Sequence, residues 1–321
     1  MSQIIKQLDP PKAQIVSVPV DYSGQRIDNF LITHLKGVPK TRIYRMIRKG
    51  EVRINGGRAK PESRVNDGDA IRIPPVRMAS QGPEGNFEFL EIEKTIIYED
   101  KHMLIINKPA GMAVHGGSGL SFGAIEALRS ARPKQAFLEL AHRLDRATSG
   151  CLLVAKKRAF LKKIQLELHG KSRLRKYYDV FVHGTWPSTV KEVTVPLMKN
   201  TLQSGERISR VSVNGKDCKT KFSVLSQGDG VSWLRAQPIT GRTHQIRVHC
   251  AHQGYPVIGD NKYGDPVGDK ALKVPRMMLH ASSLGLKAIT GEQEEANNLE
   301  GFWVEAGQDG RMAKFAKLHF D

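Results

Sequence analysis

Apolar residues fall into a regular pattern only from Gly24 onward. Ile27, Phe30, Leu31 and Leu35 recur at the spacing of one helix face, and Ile43, Met46 and Ile47 repeat it, so two short helices are expected. Alternation then takes over. Val52 and Ile54, the Asn55-Gly56-Gly57 turn, the Asp67-Gly68-Asp69 turn, and Ile71 with Ile73 read as short strands. Residues 24–77 thus predict a compact two-helix, few-strand module. The 1–23 segment ahead of it, with Pro10-Pro11, reads as a weakly ordered lead-in. Residues 78–90, rich in Pro, Gly, Ser and Gln, have linker composition and no apolar periodicity.

Beyond that linker, 91–321 reads as one larger domain. Apolar runs predict strands at 103–107, 151–155, 178–183 and 231–236, and Leu161, Ile164 and Leu168 share the face of a helix over 158–168. A further helix is expected to open near Arg242 and to stop at Gly254 and Pro256. Strands and helices alternate irregularly, which predicts an α+β mixed sheet more than a doubly wound one.

Charge sharpens this picture. The 321 residues carry a formal +18, which fits a polyanionic partner such as nucleic acid, with anionic membrane as the competitor. Between Gly24 and Arg77 there are 13 Lys or Arg against 5 Asp or Glu, so a large share of the excess sits in the small module. Arg42, Arg45 and Lys49 stack on one face of its second helix, with Lys40 and Arg48 flanking them, and phosphate contact is the expected role of that face. No apolar run is long enough to span a membrane and the first residues lack a signal-peptide core, so a cytoplasmic protein is expected. Cys151, Cys218 and Cys250 form no CxxC pair, which indicates neither a disulfide framework nor a thiolate zinc site.

Three segments carry candidate chemistry. In Ala141-His142-Arg143-Leu144-Asp145-Arg146-Ala147-Thr148-Ser149-Gly150 a carboxylate lies between two arginines, which favour its ionised form. Such an anion can act as a nucleophile or stabilise a cation, and an ordinary structural ion pair would show the same pattern. Tyr178 opens an apolar strand, where core packing is the commoner role. Arg242, at the start of its helix, would point toward an anion. The glycine-rich Gly116–Gly123 stretch lacks the endings of nucleotide-binding loops. His244, His249, Cys250 and His252 have no acidic ligand and no common metal spacing, and Arg242 and Arg247 would repel a cation.

Taken in order, these segments resemble the pseudouridine synthases that modify ribosomal and transfer RNA. The likeness rests on Asn107-Lys108-Pro109-Ala110-Gly111, His142-Arg143-Leu144-Asp145 with Thr148-Ser149-Gly150, Lys176-x-Tyr178 and Gly241-Arg242-Thr243-His244-Gln245-Ile246-Arg247, across about residues 95–285. Residues 24–77 likewise resemble an S4-type RNA-binding domain through Arg26-Ile27-Asp28 and Lys49-Gly50-Glu51-Val52-Arg53-Ile54-Asn55-Gly56. Ala147 departs from the acidic residue common in close relatives.

The resemblance implies a mixed, largely antiparallel central sheet and isomerisation of uridine to pseudouridine in large-subunit ribosomal RNA. It implies Asp145 as the catalytic carboxylate, attacking the substrate or removing a ribose proton. Arg242 would be its ion-pair partner, and Tyr178 would stack on uracil and be a candidate base. Arg143 would fill the gap left by the extruded base, and Lys40, Arg42, Arg45, Lys49 and Arg53 would contact RNA. No metal, nucleotide or organic cofactor and no membrane is implied, and the chain is expected to be a monomer. The competing readings are transfer RNA or other ribosomal sites as substrate, an RNA N-glycosidase that releases uracil, and a non-catalytic ribosome-assembly protein.

Overall fold

A computed structural model describes residues 13–35, 38, 40–76, 91–116, 122–169, 173–201, 207–287 and 301–320. The start of the expected lead-in, the linker at 78–90 and most of the glycine-rich stretch lie outside these residues. The chain divides into two compact units, Met1–Asn86 and Phe87–Asp321.

The first unit runs β1 (Gln14–Ser17), β2 (Gln25–Arg26), α1 (Ile27–His34), α2 (Lys40–Arg48), β3 (Arg53–Ile54), β4 (Gly57–Arg58), β5 (Arg64–Val65) and β6 (Ala70–Ile73). Each apolar position of the sequence pattern points inward. Ile27, Phe30, Leu31, Leu35, Ile43, Met46, Ile47, Val52, Ile71 and Ile73 form one buried cluster. Asp28 is buried in the same unit, and its charge is met by two Arg26 nitrogens at 3.1 and 2.7 Å and the Tyr44 hydroxyl at 3.0 Å. The described part of the lead-in, from residue 13 onward, is more ordered than its composition suggests. Gln14 to Ser17 pair antiparallel with Ile73 to Ala70, because an edge strand draws its order from its partner and not from its own alternation.

The second unit continues with β7 (Ile96–Glu99), β8 (Met103–Lys108), α3 (Ala124–Ala131), β9 (Glu139–Leu140), β10 (Ser149–Ala155), α4 (Arg158–His169), β11 (Leu174–His183), β12 (Glu192–Thr194), β13 (Leu197–Thr201), β14 (Arg207–Val211), β15 (Lys219–Gly228), β16 (Val231–Pro238), α5 (Gln245–His252), α6 (Pro266–Ala271), β17 (Leu279–Leu286), β18 (Phe302–Glu305) and α7 (Gly310–Phe320). Eight strands order as β12-β15-β16-β11-β17-β10-β8-β7, with β18 against β17 and β9 against β10, in a ten-stranded sheet. The pairings are antiparallel except β10 with β17, so the expected mixed, largely antiparallel α+β sheet is what forms. The C-terminal residues pack: Met312 and Phe315 of α7 join Phe181, Val231, Ile258 and Met278 in a core beneath the sheet. Among the described residues no helix is long and apolar enough to cross a membrane.

Gly150 is where the parallel pair closes. Its φ is +106°, and a Cβ there would stand 2.2 Å from the Ala281 carbonyl oxygen. We therefore expect Gly150→Ala to cost at least about 3 kcal/mol, since backbone strain and a backbone clash act together. Urea unfolding would measure it, and an unchanged midpoint would show that β10 and β17 can separate freely.

Candidate active site

Asp145 lies in the loop between β9 and β10, and its neighbours tie that loop down from several directions. His142 Nε2 accepts the Leu153 N–H at 3.1 Å, and burial pushes the ring's pKa down to about 4, so it is a neutral structural group. Thr148 donates its N–H to the Asp145 carbonyl at 3.1 Å. Gly111 N–H reaches the Arg146 carbonyl at 2.8 Å, and Arg146 Nε returns to the Gly111 carbonyl at 2.9 Å. Below them Lys108 is fully buried, its Nζ donating to the carbonyls of Pro109, Met112 and Arg146 at 2.8, 2.9 and 3.3 Å. Burial lowers the Lys108 pKa to about 7, with the Asp145 charge pulling it up and Arg276 pushing it down.

The cation that meets Asp145 is neither flanking arginine. Arg143 is exposed, and Arg146 is turned to Gly111. Arg247 Nη1 donates to Asp145 Oδ2 at 2.9 Å, and the carboxylate side chain keeps 29% of its surface open. Arg242, expected as this partner, is corrected by the structure. It is exposed, with Nε donating to the Asp217 carbonyl at 3.2 Å. The reason is local geometry. The helix begins at Gln245 and not at Arg242, after a left-handed turn at His244 (φ 55°, ψ 22°), so Arg242 stays in the preceding loop while Arg247 enters the first helical turn. The Gln245 side chain holds that loop, accepting from Thr240 Oγ1 and Arg242 N–H and donating to Lys219 O and Thr220 Oγ1. A left-handed histidine costs about 1 kcal/mol or more, a strain that recurs at functional sites.

Arg247 is itself buried, 4% exposed, and forks onto Asp260 through Nε at 2.7 Å and Nη2 at 2.6 Å. Burial opposes its charge, but the two carboxylates override that and raise its pKa. Burial likewise pushes Asp260 up, while the Arg247 bonds and charge, with the Lys262 and Tyr263 amides, leave its carboxyl below the usual range. The Tyr263 ring lies 5.1 Å from the Arg247 guanidinium. A buried arginine shared by one buried and one open carboxylate stays positive and holds the open one in place. Among the described residues no hydrogen bond reaches Asp145 Oδ1.

Tyr178 lies on β11, next to β17 and one strand further from β10, and packs with Ala147 at the edge of the core containing Val180, Phe222 and Ile246. Burial, and then the charge of Asp145, raise its phenol pKa well above the ordinary value, so the ring is neutral at physiological pH. In the first unit Arg45 and Lys49 are exposed and Arg42 half-buried, while Arg53, also exposed, donates to the Gly56 carbonyl of its own turn at 3.1 Å. Lys40 opens α2, and its side chain is outside the described residues. The histidine-cysteine cluster splits up: His249 and Cys250 are buried in the core, and His244 turns to Asp145. Among the described residues no group of three or more His, Cys, Asp or Glu has the arrangement to hold a metal ion.

Sequence reasoning missed Arg247, Asp260, Lys108 and Tyr263 as parts of the site. Arg247 left a signal, because the Gly241–Arg247 motif carries two arginines and only the second enters the helix. Asp260 and Tyr263 left none, since their part depends on where the chain returns after α5.

Comparison with known proteins places these residues in context. Residues 102–252 match the family model described as RNA pseudouridylate synthase, and residues 25–71 match the S4 domain. The chain is 51% identical over 285 residues to "Ribosomal large subunit pseudouridine synthase C" of Escherichia coli (strain K12), covering 86% of this chain and 89% of that one. It is 46% identical over 309 residues to the protein of the same name from Yersinia pestis, covering 94% of each. Among solved structures, "Human RNA Pseudouridylate Synthase Domain Containing 4" superposes with a TM-score of 0.56 at 24% identity, over 71% of this chain and 94% of that one, a likeness of fold.

Proposed function

The chain belongs to the RNA pseudouridylate synthase family, and from that premise we propose that it converts specific uridines of large-subunit ribosomal RNA to pseudouridine with Asp145 as the reactive carboxylate. It is an RNA pseudouridine synthase. The substrate reading is supported by the names of relatives at 46% and 51% identity and by the S4 match. The observation that carries the site is the Arg247–Asp145 pair, a 2.9 Å bond to Oδ2 that leaves Oδ1 unengaged among the described residues.

In the reaction the bond from ribose C1′ to uracil N1 breaks, a bond from C1′ to C5 forms, the proton on C5 is lost and N1 gains one. Nothing is added overall. The uridine must first leave its stack, at a cost of a few kcal/mol, and phosphate contacts supply that energy. Asp145 then acts on the ribose as an anion, with Arg247 holding its charge in place. Tyr178 offers a neutral ring beside it, which favours stacking on uracil over proton removal as its contribution. Arg143, exposed at the same loop, occupies the space vacated by the extruded base. The protein works as a cytoplasmic monomer without a bound cofactor.

Tritium release from large-subunit RNA labelled at uridine C5 tests this directly. We expect release, with pseudouridine replacing label in the digested RNA. No release, or release of free uracil, would overturn the assignment.

The first unit should serve as a phosphate grip. Replacing Arg42, Arg45 and Lys49 together by Gln is expected to weaken binding to this RNA and to flatten the log–log salt dependence by about 2 units, at about 0.7 per single-strand phosphate contact. Filter binding at several salt concentrations reads both, and an unchanged slope would remove this face from the RNA contact.

A further inference from the structure

Asp145 Oδ2 has a second neighbour besides Arg247. His244 Nε2 stands 3.7 Å away, on a side chain only 10% exposed. The other ring nitrogen is occupied, with His244 Nδ1 2.8 Å from the Tyr263 hydroxyl. That hydroxyl oxygen already accepts the Ser209 N–H of β14 at 2.7 Å. With its oxygen engaged as acceptor, the phenol directs its own proton at Nδ1, and the proton of the neutral imidazole is left on Nε2, the nitrogen facing Asp145.

We propose that His244 is a positioning residue for Asp145: Tyr263 holds it as the Nε2–H tautomer, so that it and Arg247 both address Oδ2 and leave Oδ1 to the ribose. The inference rests on Asp145 being the reactive carboxylate. At 3.7 Å the His244 contact is not yet a hydrogen bond, and contacts of this kind tighten when substrate closes the site. Two donors on one oxygen fix the plane of the carboxylate, which one donor alone leaves free to rotate. His244 takes its left-handed backbone immediately ahead of α5, where the loop carrying Arg242 turns into the helix carrying Arg247.

The surroundings keep the ring neutral. Asp145, Arg247, Lys262, Asp260 and Tyr263 face it, and burial is the largest influence, lowering its pKa. Tyr263 also lies edge-on to His244, with centroids 5.6 Å apart, and under the Arg247 guanidinium. One tyrosine therefore orients both donors. Its own anchor, Ser209, belongs to the β13–β14 hairpin, so the seating of that hairpin is linked to the aim of the carboxylate.

The test uses the whole chain in steady-state assays on C5-tritiated large-subunit RNA from pH 5 to 9. Wild type and Asp145→Asn serve as controls that report on the reactive carboxylate independently. Tyr263→Phe, which removes one oxygen, is expected to lower kcat about 10–100-fold with KM within about twofold. That loss should shrink as the pH falls, because a protonated imidazole carries the Nε2–H that faces Asp145 whatever Nδ1 meets. His244→Gln, which can place an amide N–H where Nε2–H stood, should retain more activity than His244→Leu. Wild-type kcat or a pH-independent loss in Tyr263→Phe, or equal losses in the Gln and Leu variants, would overturn the proposal while leaving Asp145 in its role. If His244→Leu fails to fold, the pH profile of Tyr263→Phe decides alone.

Discussion

Asp145→Asn should abolish pseudouridine formation, lowering kcat by at least about 10⁴-fold, while stability stays within about 1 kcal/mol of wild type. The loss follows from chemistry: an amide is neither a nucleophile nor a base, and the reaction needs an anion at the ribose. Near-constant stability follows from the charge arrangement. Arg247 stands between two carboxylates, and the bidentate bonds go to Asp260, which is fully buried. Removing the open carboxylate leaves the buried pair intact, and the Asn oxygen can still accept from Nη1. RNA affinity should persist, since the phosphate grip proposed above rests on Arg42, Arg45 and Lys49 and not on Asp145. Tritium release, filter binding and urea unfolding on one preparation check all three. A variant with wild-type turnover would remove Asp145 from the chemistry.

Arg247→Met should have the opposite profile, losing stability and activity together. It leaves Asp260 buried with no cation, and breaking a buried pair from one side costs about 3–5 kcal/mol. Activity should fall about 10²–10³-fold or more, because Asp145 loses the donor that orients it. Arg242→Ala, by contrast, removes an exposed side chain and should shift stability by about 0.5 kcal/mol or less. The sign of the pH dependence separates the two arginines further. In the wild type Asp260 titrates below its unfolded value, so its contribution is present above about pH 4 and is lost as pH falls through the folded value. In Arg247→Met burial is opposed only by the Lys262 and Tyr263 amides, so the Asp260 pKa rises. The folded state then binds more protons than the unfolded one, and stability should increase as pH is lowered from 7 toward about 4. Unfolding midpoints across that range measure it; parallel curves for both proteins would show that Arg247 does not carry the Asp260 charge.

Much of the architecture could be read from spacing alone because it depends on local periodicity. Ile27, Phe30, Leu31, Ile43, Met46 and Ile47 are buried where the helical pattern puts them, and strands expected at 103–107, 151–155, 178–183 and 231–236 form as Met103–Lys108, Ser149–Ala155, Leu174–His183 and Val231–Pro238. The helix near Arg242 was misplaced by three residues for a different reason. Propensity cannot foresee a left-handed histidine, which is unfavourable locally and persists only because Gln245, Tyr263 and the strand ends hold it.

The same division runs through the site. The linear sequence determined that one carboxylate, set in His142-Arg143-Leu144-Asp145 with Thr148-Ser149-Gly150, was the residue to explain, and that basic side chains crowd one helix of the first unit. Those are properties of neighbours along the chain. Which arginine meets Asp145, which of its oxygens stays open, and which tyrosine turns His244 toward it depend on groups as much as 118 positions apart, since Asp145 and Tyr263 meet only through α5 and the turn that follows it. A charge can be recognised from its residue type, but its partner is decided by burial, and burial exists only once the sheet and helices have packed.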